Sequence, residues 1–356
     1  MGDGEALLRG VIAAPDDDLP RLVYADWLDE HDDPARAEFI RVQCALERLP
    51  PGDPSAAELR ARERVLLRAH GWVWADALGV NFREWVYRRG FIERVEMSLE
   101  VSRDEIVATL GKAPIRHVRD TGQFNDLAGV VEALPDLAHL TGLEFWGLYG
   151  CDDALYEQLV LSPHLANLRT LILHHDRNGD TAPDALVVAA LQSPHRANLE
   201  ELAVNVDGSW RGPSVEVLHA LAESPYLRKL RKLNLSNVGG DRDSHEVDAK
   251  LARRLGQSPN LAGLEDLDLS GAACPLDVWD EVLKWPCLPR LKTLRLHGAW
   301  QVGPNGHVVA YLAEVPEYRQ AIDRLVPAAD WLTEDFAPYS DGHACWHGQT
   351  RERRRY

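Results

Sequence analysis

Residues 162–173 read SPHLANLRTLIL, residues 193–204 SPHRANLEELAV, residues 224–235 SPYLRKLRKLNL and residues 258–269 SPNLAGLEDLDL. In each stretch a Ser-Pro pair precedes the string LxxLxL, which starts five residues after the proline. Working outward, the same string begins at Leu140 (with Leu143 and Phe145) and at Leu291 (with Leu294 and Leu296), preceded by Pro135 and Pro286 at the same offset. Two weaker copies come earlier, Ile92 with Val95 and Met97, and Ile115 with Val118. Successive copies are 23, 25, 28, 31, 31, 34 and 27 residues apart. A self-similar period in this range marks a repeat array rather than a single folded-over core.

Upstream of the prolines, apolar pairs four residues apart recur: Leu155/Leu159, Leu186/Ala190, Val217/Leu221, Leu251/Leu255 and Val278/Val282. An i, i+4 pair is one stripe of a helix, and the proline ends that helix because the residue before it avoids the α region. Each unit therefore reads as strand, loop, helix and proline turn, with the length variation in the strand-to-helix loop. The pattern over residues 91–300 resembles leucine-rich repeats of the ribonuclease-inhibitor-like kind. The resemblance implies an α/β fold, a solenoid with a parallel β concave face and convex helices. One position departs from the family consensus. The ninth, usually Asn or Cys tying neighbouring turns, is Leu148, Asp176, Asp207, Val238, Ala272 and Ala299. The turns must then be tied another way.

The first 90 residues read as helical, an N-terminal all-α domain. Leu7, Leu8, Val11 and Ile12 make one helix face before Pro15, and Leu19, Leu22, Val23 and Trp27 a second. The runs Asp16-Asp17-Asp18 and Asp32-Asp33-Pro34 offer N-caps. Phe39, Val42, Leu46 and Leu49 make a third face, and Ser55 with Glu58 reads as a capping box for a fourth helix reaching about His70. Trp72, Trp74 and Trp85 are expected to pack. The run PDDDLPRLVYADWLDEHDDPARAEFIRVQCAL (15–46) resembles the repeat-companion domain, a small helical domain that accompanies repeats in large paralogous families of planctomycetes and myxobacteria. That resemblance implies architecture and carries no chemistry. The expected organisation is thus a helical domain and cap over 1–90, about eight repeats over 91–304, and a C-terminal cap and tail over 305–356, with Val308, Tyr311, Leu312, Ile322, Leu325 and Trp331 covering the last repeat.

Composition narrows the function. The 356 residues are 45% apolar with 11 Trp, which argues against a disordered chain. With 39 basic against 56 acidic residues the net charge is −17, and an acidic surface repels polyanions and anionic membranes. Residues 1–90 are acidic too, 12 Arg against 17 Asp and Glu. No apolar run approaches a membrane span and the N-terminus is neither a signal peptide nor, with Ala6, a myristoylation site. Cys44, Cys151, Cys274, Cys287 and Cys345 are scattered, odd in number and free of CxxC, so reduced buried thiols are expected. A bacterial, cytoplasmic protein is the expectation.

Motifs that carry chemistry are sparse. His343, Cys345 and His347 form H-x-C-x-H, with no fourth ligand and no usual zinc spacing. His174-His175-Asp176 ends a strand without a nucleophile elbow. No phosphate-binding glycine motif, HExxH or GxSxG is present, and the basic tail Arg351–Tyr356 reads as a solvated end. No catalytic residue, metal or cofactor is therefore expected. What remains is the repeat surface. Residues alternating with the leucines point away from the core. The expected protein-binding set on the concave face is Glu144, Trp146, Ile172, His174, Glu201, Asn205, Asn234, Asp266, Asp268 and Arg295. The reading is a non-catalytic interaction scaffold or adaptor whose partner protein has a basic surface. The competing classes are an enzyme or metal-binding protein using the His/Cys clusters, and a nucleic-acid-associated regulatory factor.

Overall fold

The computed structural model describes residues 2–50, 52–79, 82–121, 127–146, 153–175, 184–206, 212–239, 247–302, 308–326 and 329–331. The chain divides into two compact units, Met1–Asp120 and 121–348. Both are mixed α/β, and most of their strand pairings are parallel.

The first unit opens with four helices: α1 (Asp3–Ala13), α2 (Asp18–Glu30), α3 (Pro34–Arg48) and α4 (Ala56–Asp76). The acidic caps act as read. Asp17 accepts from the Leu19 amide at 2.9 Å and Asp33 from the Arg36 amide at 3.1 Å, with Pro34 opening α3. The capping box does not form. Ser55 donates its hydroxyl to Asp53 at 2.6 Å instead, and α4 runs on to Asp76, past the expected end at His70.

The core face of α2 is also rotated from the expected one. Arg21, Ala25 and Leu28 are buried, while Leu19 is 65% exposed. A guanidinium holds a core position because its two terminal nitrogens find acceptors there. Arg21 donates to Glu93 at 2.6 Å, to the Pro15 carbonyl at 2.8 Å and to the Arg89 carbonyl at 3.1 Å.

Glu93 and the Arg89 carbonyl belong to a hairpin, β1 (Glu84–Arg88) and β2 (Phe91–Met97), paired antiparallel. After α5 (Arg103–Leu110), β3 (His117–Asp120) joins β2 in parallel, Val95 opposite Val118. The expected all-α stretch over 1–90 therefore ends in strand, and a boundary at 90/91 falls inside the hairpin turn. That turn is Arg89-Gly90, both at positive φ (47° and 87°). The Gly90 amide donates to Gln43 on α3 at 2.7 Å, and a Cβ there would lie 2.4 Å from Ile40, so only glycine fits. The polar residues of the 15–46 run are thereby engaged within the unit. Arg21 and Gln43 hold the hairpin, Arg36 sits among the rings of Phe39, Trp74, Tyr87 and Phe91, and Arg41 pairs with Asp26 and Asp29.

The second unit alternates helix and strand: α6 (Ala128–Ala133), β4 (Gly142–Trp146), α7 (Asp153–Leu161), β5 (Thr170–His175), α8 (Asp184–Leu191), β6 (Glu201–Val206), α9 (Val215–Glu223), β7 (Lys232–Asn234), α10 (Ala249–Gln257) and β8 (Asp266–Asp268). Next come β9 (Ala273–Pro275), α11 (Leu276–Val282), β10 (Thr293–Arg295), β11 (Trp300–Val302), β12 (Val308–Tyr311), α12 (Pro316–Leu325) and β13 (Ala329–Asp330). Strands β4, β5, β6, β7, β8, β10 and β13 form one parallel series. From β4 to β8 each strand pairs with the next in sequence. The second leucines of the strings, Leu143, Leu171, Leu202, Leu233, Leu267 and Leu294, stand opposite one another and all are buried. Three strands make a separate small sheet in the order β12-β11-β9, which the helical spacing of 305–340 did not suggest. Leu312, Ile322 and Trp331 are buried.

The tie between turns is found on the proline side. The last carbonyls of a helix have no partner inside it, and here the next unit supplies one. Ser224 donates to Leu191 O at 2.6 Å, Ser258 to Ala222 O at 2.7 Å, and Asn260 to Leu221 O at 2.7 Å. Asn167 and Asn198 reach back to Ala138 O and Ala166 O at 2.8 and 2.9 Å. In one unit an arginine does this: buried Arg196 donates to Val160 O at 2.5 Å and Leu165 O at 2.9 Å. Val238, Ala272 and Ala299, at the ninth position of their strings, are buried apolar residues and make no such polar tie.

Candidate functional site

The parallel register builds rows of side chains across the strands of the second unit. One row is Gly142, Thr170, Glu201, Lys232, Asp266 and Thr293. The next, two residues on, is Glu144, Ile172, Ala203, Asn234, Asp268 and Arg295. A third is Trp146, His174 and Asn205. The first two rows alternate with the buried leucines and so belong to the opposite face of the sheet. Neighbouring members of a row are about 4.8 Å apart, the strand spacing. The side chains of Trp146, His174 and Asn205 lie outside the described residues, as do Asp176, Cys345, His343 and His347.

The described members differ in exposure. Arg295 is exposed, and Ile172, Glu201, Asn234 and Asp266 are half-buried. Glu144 is only 2% exposed and Asp268 8%, so neither offers the open acidic group expected of it. For Asp268 the reason is visible. Its carboxylate accepts from the Ser270 amide at 2.9 Å, closing the turn after β8, and Asn234 does the same for the Ser236 amide at 2.8 Å after β7. A short Asx side chain at the end of a three-residue strand folds back on its own backbone.

At the entry to the strands lies a further row, Arg169, Glu200, Arg231, Glu265 and Lys292, alternating in sign. Arg169 meets Glu200 at 3.4 Å, and Glu265 meets both Arg231 at 3.2 Å and Lys292 at 2.6 Å. Lys292 and Arg231 hold the Glu265 carboxyl below the usual carboxylate range. Beside this row Glu201 accepts from Thr170 at 3.4 Å and faces Lys232 at 3.7 Å. The alternation is written in the second position of the five LxxLxL strings from Leu168 onward, although it carries no apolar signal. Exposed pairs of this kind contribute little to stability. What they do is neutralise the entry edge, leaving Asp266 as the half-buried acidic group of the face with no cation within ion-pair distance among the described residues.

Among the described residues, no group of three or more His, Cys, Asp or Glu is placed to hold a metal ion. Cys44, Cys274 and Cys287 are free and buried, and burial pushes the Cys44 and Cys274 thiols up to about 11 and about 12. No described helix is long and apolar enough to cross a membrane. Compared with models of known protein families the chain matches none, and none of the curated proteins matches it.

Proposed function

We propose that this chain is a leucine-rich repeat solenoid of the ribonuclease-inhibitor-like kind with a repeat-companion domain at its N-terminus. In this reading it is a non-catalytic, cytoplasmic scaffold that binds a partner protein on the sheet face. The observation that carries the reading is the register. Rows from successive strands, Thr170, Glu201, Lys232 and Asp266, then Ile172, Ala203 and Asn234, run side by side across the sheet, with Ile172 and Asp266 half-buried and outside the Thr170–Glu201–Lys232 contacts. Repeat arrays present long surfaces of this sort. Half-buried Ile172, flanked by the charged residues Glu201, Lys232 and Asp266 of the adjacent row, has the make-up of an interface core and rim. Net charge −17 and the unneutralised Asp266 favour a partner with a basic patch.

The test starts with capture of partners from the native host on the full chain, followed by surface plasmon resonance at two salt concentrations. Ile172→Arg places a charge in the apolar centre and is expected to speed dissociation at least about tenfold. Asp266→Lys is expected to slow association by about tenfold and to flatten its salt dependence. Asp268 is left intact in this test because its carboxylate closes a turn. If both variants bind with wild-type rates, the sheet face is not the docking surface.

A further inference from the structure

Seven large apolar side chains are exposed among the described residues, and four of them sit on α4 and β1: Val65, Trp72, Val73 and Val86. Val65, Trp72 and Val73 are at i, i+7 and i+8, one stripe of α4. Trp72 is 67% exposed and touches Trp85 edge-on at 4.6 Å between ring centres, so the stripe continues onto the strand. Strand β1 stands at the end of the strand order and pairs only with β2 among the described residues. It is five residues long and has neither proline nor glycine, and its pairing with β2 shifts register between Val86 and Tyr87. The Tyr87 and Arg88 carbonyls are approached by Gln43 and Arg21 side chains only at 3.5 Å.

The sequence of β1, Glu84-Trp85-Val86-Tyr87-Arg88, is self-complementary in charge about its centre. Two such strands laid antiparallel about Val86 set Glu84 of each copy opposite Arg88 of the other, Trp85 opposite Tyr87, and Val86 opposite itself. A two-fold interface requires this reciprocity. Local charge permits it as well. Residues 56–88 carry six arginines against four acidic residues, and Glu38 and Glu47 pair with Arg62 and Arg88, so this surface is close to neutral in a chain of net charge −17 and two acidic copies can approach on it. We propose that α4 and the edge strand β1 form the interface with a second copy of this chain, the two β1 strands pairing antiparallel about a two-fold axis at Val86.

The test is analytical ultracentrifugation of the full chain over a range of concentrations. The wild type is expected to show a reversible monomer–dimer equilibrium. Glu84→Arg and Arg88→Glu each set like charges opposite one another twice per dimer, and each is expected to weaken self-association by about tenfold or more. Mixing the two single variants restores opposite charges at both contacts, so the mixture is expected to form a heterodimer as tight as the wild-type dimer. Arg88 also pairs with Glu47 within the same chain, so circular dichroism of each variant checks that it folds, and the mixing result stands apart from that effect. Trp72→Ser is expected to weaken the dimer without altering the charge rule. A wild type that stays monomeric, or a dimer indifferent to the charge reversals, overturns the proposal.

Discussion

Replacing Arg21 by leucine is expected to destabilise the first unit by about 3–5 kcal/mol at pH 7, the cost of leaving a buried charge without its partner. Arg21 is fully buried and bonds Glu93 at 2.6 Å, and the next cation, Arg89, stands 3.9 Å from the same oxygen. In the intact protein burial already pushes the Glu93 carboxyl above its usual range, against the pull of Arg21 and Arg89. Without Arg21 it moves further up. The sign follows. A carboxyl whose folded pKa lies above its unfolded value costs stability as pH rises through the folded pKa, and costs least below the unfolded one. Arg21→Leu is therefore expected to lose less stability at pH 4 than at pH 7, measured by urea unfolding. The double variant Arg21→Leu with Glu93→Leu removes both charges, and most of the loss should be recovered. If the double variant is as unstable as the single one, the damage comes from the hairpin carbonyls that Arg21 holds, and not from the stranded carboxylate.

Arg196→Ala is expected to destabilise the second unit by about 3 kcal/mol. Two buried carbonyls, Val160 O and Leu165 O, lose a charged donor, each costing about 1–3 kcal/mol, and a cavity is left behind. Removing a buried charge offsets part of this. Among the described residues the guanidinium has no carboxylate beside it, and burial brings it down to about 10. Arg196→Met keeps the volume and drops the donors, so it should lose roughly half as much. Because Arg196 joins two successive units, hydrogen exchange should rise first in residues 153–175 and 194–206. Uniform faster exchange across the chain would show that the loss is not local to that junction.

Much of the second unit was legible because its apolar periodicity repeats. Six strings in one frame fix which leucines are buried, and the rows on the opposite face follow from alternation alone. The polar details were harder to read. Nothing in the spacing says that Asp268 folds onto the Ser270 amide, since an Asx turn depends on where a three-residue strand stops. The ties between units were visible as a Ser-Pro signature, but their acceptors are helix carbonyls of the preceding unit, which no side-chain pattern records. In the first unit the face of α2 was misread because Leu19, Leu22 and Val23 looked like a core stripe. The core position went to Arg21 because its partners, Glu93 and the Arg89 carbonyl, lie some 70 residues away. The hairpin itself was hidden in YRRGF, where Arg89-Gly90 supplies the two positive-φ positions of a tight turn. Read for turn chemistry and not for aromatics, that stretch announces two strands.

Docking of a partner on the sheet face of the second unit, as proposed, is read by hydrogen–deuterium exchange of the full chain, free and saturated with a captured partner. Slower exchange is expected in peptides covering 168–174, 199–205, 230–236 and 264–270, which carry the rows through Ile172, Ala203, Asn234 and Asp266. Peptides from α9 and α10 should be unchanged. Protection confined to residues 16–50, with those four strand segments exchanging as in the free protein, would contradict that docking.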